Sequence, residues 1–365
     1  MSTASAPPSP TEAGDDPSAP SRRHLVVVTR GSWGWRLLLG TAMVVAVAVV
    51  AVLPFVLPVL EARLVSRFVA LGVALLGLQF VVGRAGQLSL CHGVFVGIGS
   101  YGTTIALSTW GLPHLVAVGF APVLGFAFGC LVGLLGLRIR AIYLGPVTLS
   151  VAVVFPMFVK RFGWFTGGSS GLPITRELTP PSFLGLETPE YYLWTHLVIV
   201  AVAVVAVVVV RNVVLSPVGM AVRATAENPL SAATSGIDVR RTRVVAYGFG
   251  AAVGALGGGL LVLDTPIVGA DSYDLFRSLG YYAAVMVGGA ASMIGAAFGA
   301  LILVGVPRLM AVYDLRTGPN LILGLLLVVS TLVTPGGLSV PLRRLAERVV
   351  GVRHPLEGDR SPDSD

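Results

Sequence analysis

The sequence predicts an all-α polytopic integral membrane protein of about ten transmembrane or re-entrant helices, and three observations predict it. Only 12% of the 365 residues are charged, against 55% hydrophobic, whereas a soluble domain carries about 25% charged residues. Apolar runs close to the roughly 20 residues that one span requires recur along most of the chain. Inside a bilayer the backbone must satisfy its own hydrogen bonds, so runs of that length are helices even where a Val-rich composition would favour a strand in water.

The first apolar run covers 36–60, after a Pro/Ser/Ala-rich stretch that carries Glu12, Asp15 and Asp16 and reads as a disordered tail over 1–33. A second run, 64–83, ends at Arg84, and a small, Gly-rich run follows at 88–110. Residues 112–137 stop at Arg138 and Arg140, and 141–159 are closed by Lys160 and Arg161. The polar stretch 163–190 is a loop by its Gly and Pro content. Residues 191–210 are the most uniformly apolar of all. After a polar interruption at 215–243 come 244–263, an acidic stretch with Asp264, Asp271 and Asp274, and a run at 279–310. That run is too long for one straight crossing, about 48 Å against a core of about 30 Å, and GGAASMIG at 288–295 offers a place to break it. The last run, 319–338, completes a membrane domain over 34–340, and an Arg-containing tail occupies 341–365.

The 215–243 interruption organises the rest. Ser216 is a candidate N-cap with Pro217 at the first helical position, Asn228 and Pro229 repeat the signal, Gly236 offers a left-handed stop, and Asp238 can cap the next long helix. Two short helices follow from this. Their Arg residues and the small face of Ala232, Ala233 and Ser235 suit a surface on which another protein sits, although a charged loop is more often a solvated connector. Placing this loop and both termini in the cytoplasm puts most Lys and Arg on that side, as the positive-inside rule requires.

Several chemistries are excluded or weakened by what the sequence lacks. The single lysine, Lys160, follows Val159 rather than Gly, so no standard P-loop exists to hydrolyse ATP. None of the 18 carboxylates falls in the middle of an apolar run, so no proton relay of the usual kind is present. The five His show no metal-ligand spacing, and Cys91 and Cys130 have no CxxC partner. A net charge of +7 needs no nucleic acid to explain it, because no basic patch is interleaved with aromatics.

The run GRAGQLSLCHGVFVGIGSYG at 83–102 resembles the permease subunits of bacterial branched-chain amino-acid ABC importers, the LivM/LivH family. It matches their Gly-x-x-Gly-Gln-Leu-Ser-Leu-Gly-His pattern at Gly83, Gly86, Gln87, Leu88, Ser89, Leu90 and His92, and departs at Cys91, where the family usually has Gly. RIRAIYLGPVTLSVAVV (138–154), TGGSSGL (166–172), SPVGMAVRATAENPLSAATSGIDV (216–239) and MVGGAASMIGAAFGALI (286–302) are similar to further family blocks in the same order, the last with Ala291 in place of a Gly. Together they cover about residues 70–340.

The resemblance implies a protein that is no enzyme and binds no cofactor of its own. Separate ABC ATPase subunits would hydrolyse ATP, a second permease subunit (an unlike paralogue by preference) would complete the pore, and an extracytoplasmic binding protein would deliver substrate at the bacterial cytoplasmic membrane. The ATPase-coupling residues would be Arg223, Glu227, Asn228, Ala232, Ala233 and Gly236. The substrate path would run past Gln87, Ser89, His92, Gly288, Gly289 and Ser292, where broken helices aim N–H groups inward. Helix packing is the competing account of the glycines, and a local hydrogen bond that of His92. Two other readings stay open at this point: a urea, amide or sugar permease of the same superfamily, and a sodium-coupled secondary transporter.

Overall fold

The computed structural model describes residues 26–29, 33–137, 141–174, 178–180, 190–314, 350–353 and part of 321–338. It falls into two units, residues 1–38 with 344–365, and residues 39–343. In the first, strand β1 (Val26–Thr29) pairs in parallel with strand β4 (Val350–Arg353). The other residues of the expected tails lie outside the described residues, apart from residues 33–38, which open the first helix.

The second unit is helical. In chain order come α1 (Trp33–Val52), α2 (Val59–Gln79), α3 (His92–Ser108), α4 (His114–Leu137), α5 (Ala141–Arg161), α6 (Gly163–Thr166), α7 (Tyr191–Leu215), α8 (Pro217–Glu227), α9 (Pro229–Thr234), α10 (Val239–Val262), α11 (Leu275–Gly288) and α12 (Met293–Val312). The Val-rich 191–215 run is one 25-residue helix, as the membrane argument requires. Six helices are long and apolar enough to cross a bilayer among the described residues: Val59–Arg84, α4, Leu144–Arg161, α7, α10 and α12. The expected ten is not reached by that measure, because α1 contributes only the shorter apolar stretch Val44–Phe55, α3 has 17 residues and α11 has 14, and much of 315–338 lies outside the described residues. The 163–190 stretch is more ordered than a plain loop. It holds α6 and a two-residue strand, β2 (Leu172–Pro173), paired antiparallel with β3 (Ile267–Val268).

Small residues put α10 at the centre. A Cβ on Gly99 of α3 would collide with the Ala255 carbonyl, one on Gly258 with the Val96 carbonyl, and one on Gly77 of α2 with the Gly250 carbonyl. Gly125 and Gly129 of α4 meet Ala255, Ala251 and Gly248 in the same way. Backbones approach this closely only where side chains are absent, and close approach is what holds membrane helices together without a hydrophobic drive between them. The long run after Asp274 breaks where its sequence predicts. Gly289 sits at φ 111, a left-handed value that a side chain resists, and α12 then folds back so that Gly295 and Gly299 pack against Gly288.

Each predicted cap is made. The Ser216 Oγ accepts from the Gly219 N–H at 3.4 Å, the Asn228 Oδ1 from Leu230 and Ser231 at 3.1 Å each, and the Asp238 Oδ1 from Arg241 at 3.0 Å. Gly236 stops α9 at φ 83. Four orphan donors at a helix start need such partners, so local chemistry alone sets these boundaries.

Candidate functional site: a buried non-helical segment above the polar loop

Between α2 and α3 the chain leaves helical geometry. The end of α2 opens into a π turn, Phe80–Arg84, and residues 85–91 have no regular structure before α3 begins at His92. Non-helical backbone is tolerated inside a membrane protein only where protein covers it. Here the cover comes from α2, α5 and α10. Gln87 donates from its backbone N–H to the Val81 carbonyl at 3.0 Å and from Nε2 to the Arg243 carbonyl at 3.1 Å. Tyr247 donates its hydroxyl to Ser89 Oγ at 2.9 Å, and Cys91 Sγ lies 3.6 Å from that hydroxyl. The Leu90 N–H donates to Thr148 Oγ1 at 3.2 Å. His92 is buried, with Nε2 2.8 Å from the Ala74 carbonyl. A carbonyl accepts only, so Nε2 carries the hydrogen and His92 does the local bonding expected of it.

The six residues expected along the substrate path form two groups joined by no hydrogen bond among the described residues. Gln87, Ser89 and His92 are held against α2 and α10 as above. Gly288, Gly289 and Ser292 form the α11–α12 turn, where Gly288 packs on Gly295 and the Ser292 N–H donates to the Gly289 carbonyl at 3.2 Å. The turn is tied to the end of α2 through Gln79 Nε2, which donates to the Ala290 carbonyl at 3.1 Å.

The polar loop lies directly under residues 85–87. Val222 of α8 is buried in one cluster with Phe80, Ala85 and Ala246. Gly86 adopts φ 62, and a Cβ there would stand 3.3 Å from that of Ala226. Arg84 Nε and Thr225 Oγ1, one on each side of this contact, are buried without a partner among the described residues. A cavity of about 170 Å3 opens here, lined by Gln87, Leu88, Gly136, Leu144, Ala226 and Arg243 among others. α8 therefore bears directly on the π turn and residues 85–87, and π turns occur frequently at functional sites.

Of the residues expected to couple, Arg223 and Glu227 form an exposed pair at 2.7 Å, worth well under 1 kcal/mol at about that exposure. Asn228 and Gly236 shape α9, Ala232 is buried and Ala233 is exposed. Sequence reading missed three residues on the same surface. Val218, Met220 and Leu230 present 54%, 62% and 77% of their surface, on the most polar stretch of the membrane domain. It also missed Tyr247, whose only signal was a tyrosine among the small residues of α10.

At the opposite end of α10, Asp264 pairs with Arg63 of α2 at 3.4 Å. Burial pushes its carboxyl up from 3.8 to about 6, against the pull of Arg63 and then Arg67.

A polytopic helical protein with buried broken segments resting on a polar two-helix loop defines a class: a membrane transport permease. The comparisons name the family. Residues 60–331 match the family model described as "Branched-chain amino acid transport system / permease component", and the chain belongs to that family. It is 28% identical over 305 residues to the "High-affinity branched-chain amino acid transport system permease protein LivM" of Escherichia coli K12, covering 78% of this chain and 70% of that one. The LivM of Salmonella typhimurium LT2 is 27% identical over 291 residues, 74% and 67% of the two chains. A "Probable branched-chain amino acid transport permease protein LivH" of Methanocaldococcus jannaschii is 36% identical over 99 residues, 27% and 30% of the two chains. No solved structure matches.

Proposed function

We propose that this chain is the transmembrane permease subunit of an ATP-binding cassette importer for branched-chain or related amino acids. Separate ATPase subunits dock on the 215–243 loop, a second permease subunit completes the pore, and an extracytoplasmic binding protein supplies substrate. The observation that carries the reading is the contact of α8 with the π turn and residues 85–87, since it gives a docked motor a direct route to the broken segment. ATP-driven closure of the motor would rock α8 and α9, and the 85–91 segment with them, in a hinge-type transition.

Ten segments are proposed, with α3 and α11 as partial crossings and 319–338 as the last. Support for both termini on the loop side comes from the packing order. α10 leaves the loop, and α2 and α4 run antiparallel to it, as the Gly77, Gly125 and Gly133 contacts require. α12 is antiparallel to α2, with Ala300 near Gly72 and Arg308 bonded to Glu61. The Leu338 N–H then donates to Val287 near the end of α11, at 2.9 Å, so the chain returns to the loop side. His196, near the far end of α7, bonds the Val50 carbonyl at 3.0 Å, which supports an α1 that approaches that end from the loop side. Residues 1–33 and 341–365 are then cytoplasmic tails around a membrane domain at 34–340.

The test is purification in mild detergent from the native host, with mass-spectrometric identification of what accompanies the chain. A P-loop ATPase in near-equal amount, lost when residues 229–236 are replaced, is the expected result. A chain that arrives alone, and moves solute in liposomes without ATP, overturns the reading.

A further inference from the structure

At the ends of α2, α7 and α10 remote from the loop lies a cavity of about 200 Å3. At about 30 Å3 per water it holds the equivalent of six or seven waters, the scale of one small amino acid. Its lining combines apolar Leu60, Leu64, Ile199, Leu260 and Leu261 with the charged Arg63, Arg67 and Asp264. Two cations thus face one carboxylate. Asp264 is committed to Arg63 at 3.4 Å, and Arg67 acts on the same carboxyl only through its charge. Of the three charges one is in excess, that of Arg67, which is open to solvent at the pocket's edge, whereas the carboxylate is mostly buried, its side chain only 14% exposed. A simple anion would satisfy the excess cation and be repelled by Asp264, and a simple cation would meet two guanidinium groups. A ligand that carries both charges on adjacent atoms meets neither objection.

We propose that this pocket holds a free α-amino acid, its carboxylate on Arg67, its ammonium on Asp264, and its side chain on the apolar lining. The assignment rests on the importer reading above and adds to it a receiving site on the permease itself, at the end where substrate arrives. Arg67 suits the carboxylate because a guanidinium offers a planar fork of donors. The ammonium replaces part of what Arg63 supplies to Asp264, so the carboxylate is never left unpaired.

The experiment is equilibrium binding of radiolabelled L-leucine to the complete membrane complex, purified without its binding protein. Isoamylamine, which lacks the carboxylate, and isocaproate, which lacks the ammonium, serve as competitors. Wild type should prefer leucine to either by about tenfold, one charge-assisted contact's worth. Arg67→Gln should weaken leucine about tenfold while isoamylamine binds at least as well as before, one of its two opposing guanidinium groups being gone, and Asp264→Asn should weaken leucine likewise while isocaproate, freed of the carboxylate's repulsion, binds at least as well. The retained affinity for the matching analogue excludes misfolding as the cause. Equal leucine binding in all three proteins, or equal weakening of all three ligands, overturns the pocket. A complex that imports leucine with its binding protein yet binds none without it overturns the pocket and leaves the importer reading standing. A complex that imports no branched-chain amino acid at all overturns both.

Discussion

Helices α7 and α10 are nearly the same length, 25 and 24 residues, and both are apolar enough to span a bilayer. Yet a third of the apolar stretch of α7 is buried in the protein against two thirds of that of α10, although α7 is the more hydrophobic. On α7 Val205 and Val209 face outward, at 61% and 46% exposure, whereas Ala251 and Ala255 of α10 have none. In water the more hydrophobic helix would take the centre. In a membrane lipid is as apolar as valine, so position is decided by how closely a backbone can be approached, and glycine and alanine win. Hydropathy locates both helices. Residue size decides which is the hub.

The largest effect should come from adding bulk to that hub. Gly258→Leu places side chain on the Val96 carbonyl and should cost more than about 3 kcal/mol, enough to lose folded protein from the membrane. Val205→Leu on α7 should change stability by less than about 0.5 kcal/mol. Melting curves of the two variants in detergent decide this, and equal behaviour would break the comparison.

Next comes the surface outside the hub. Leu230→Asp and Ala233→Trp should reduce uptake by about tenfold or more, since buried apolar anchors dominate docking, while the melting temperature stays that of wild type. Normal uptake by both variants in membrane vesicles would count against docking at this loop.

Tyr247→Phe reaches from the hub into the irregular segment 85–91. It removes the hydroxyl shared with Ser89 and Cys91 and should cost about 1–2 kcal/mol, because Ser89 stays buried without its donor. Thermal stability of that variant beside Ser89→Ala and the double mutant should show coupling between the two sites, and strict additivity would deny the bond.

The smallest effect is a pH slope at the far end. Burial raises the Asp264 carboxyl to about 6, so folding favours its protonated form. Its stabilising contribution is present below the unfolded value of 3.8 and is lost as pH rises through about 6. The melting temperature should therefore fall over that window by the equivalent of about 1 kcal/mol, given that the paired Arg63 is half exposed. Asp264→Asn should flatten that part of the slope, and an unchanged slope would show that other groups produce it.

Much of this was legible in the residues. Ser216, Asn228 and Asp238 announce their helices because a cap is a contact between residues two or three apart, and Gly289 announces the break because only glycine accepts that backbone freely. The partners of Ser89 and His92 were not legible. Tyr247 lies 158 residues from Ser89, and the Ala74 carbonyl belongs to another helix. Leu230 and Met220 escaped notice for a different reason. In a chain that is 55% hydrophobic, one more apolar residue carries no signal until its exposure is known.

The sequence by itself determined the class of the protein, the capped helix starts at 217, 229 and 239, the broken run at 289 and the family, because composition, capping and motif order act over short stretches of chain. Only the tertiary structure decided that α10 is the hub, that the residues expected along a substrate path divide into two groups, that α8 bears on residues 85–87, and that Arg63, Arg67 and Asp264 share a pocket. Those facts depend on the register between helices far apart in the chain. Register follows from the fit of one helix surface against another, which no single stretch of sequence contains.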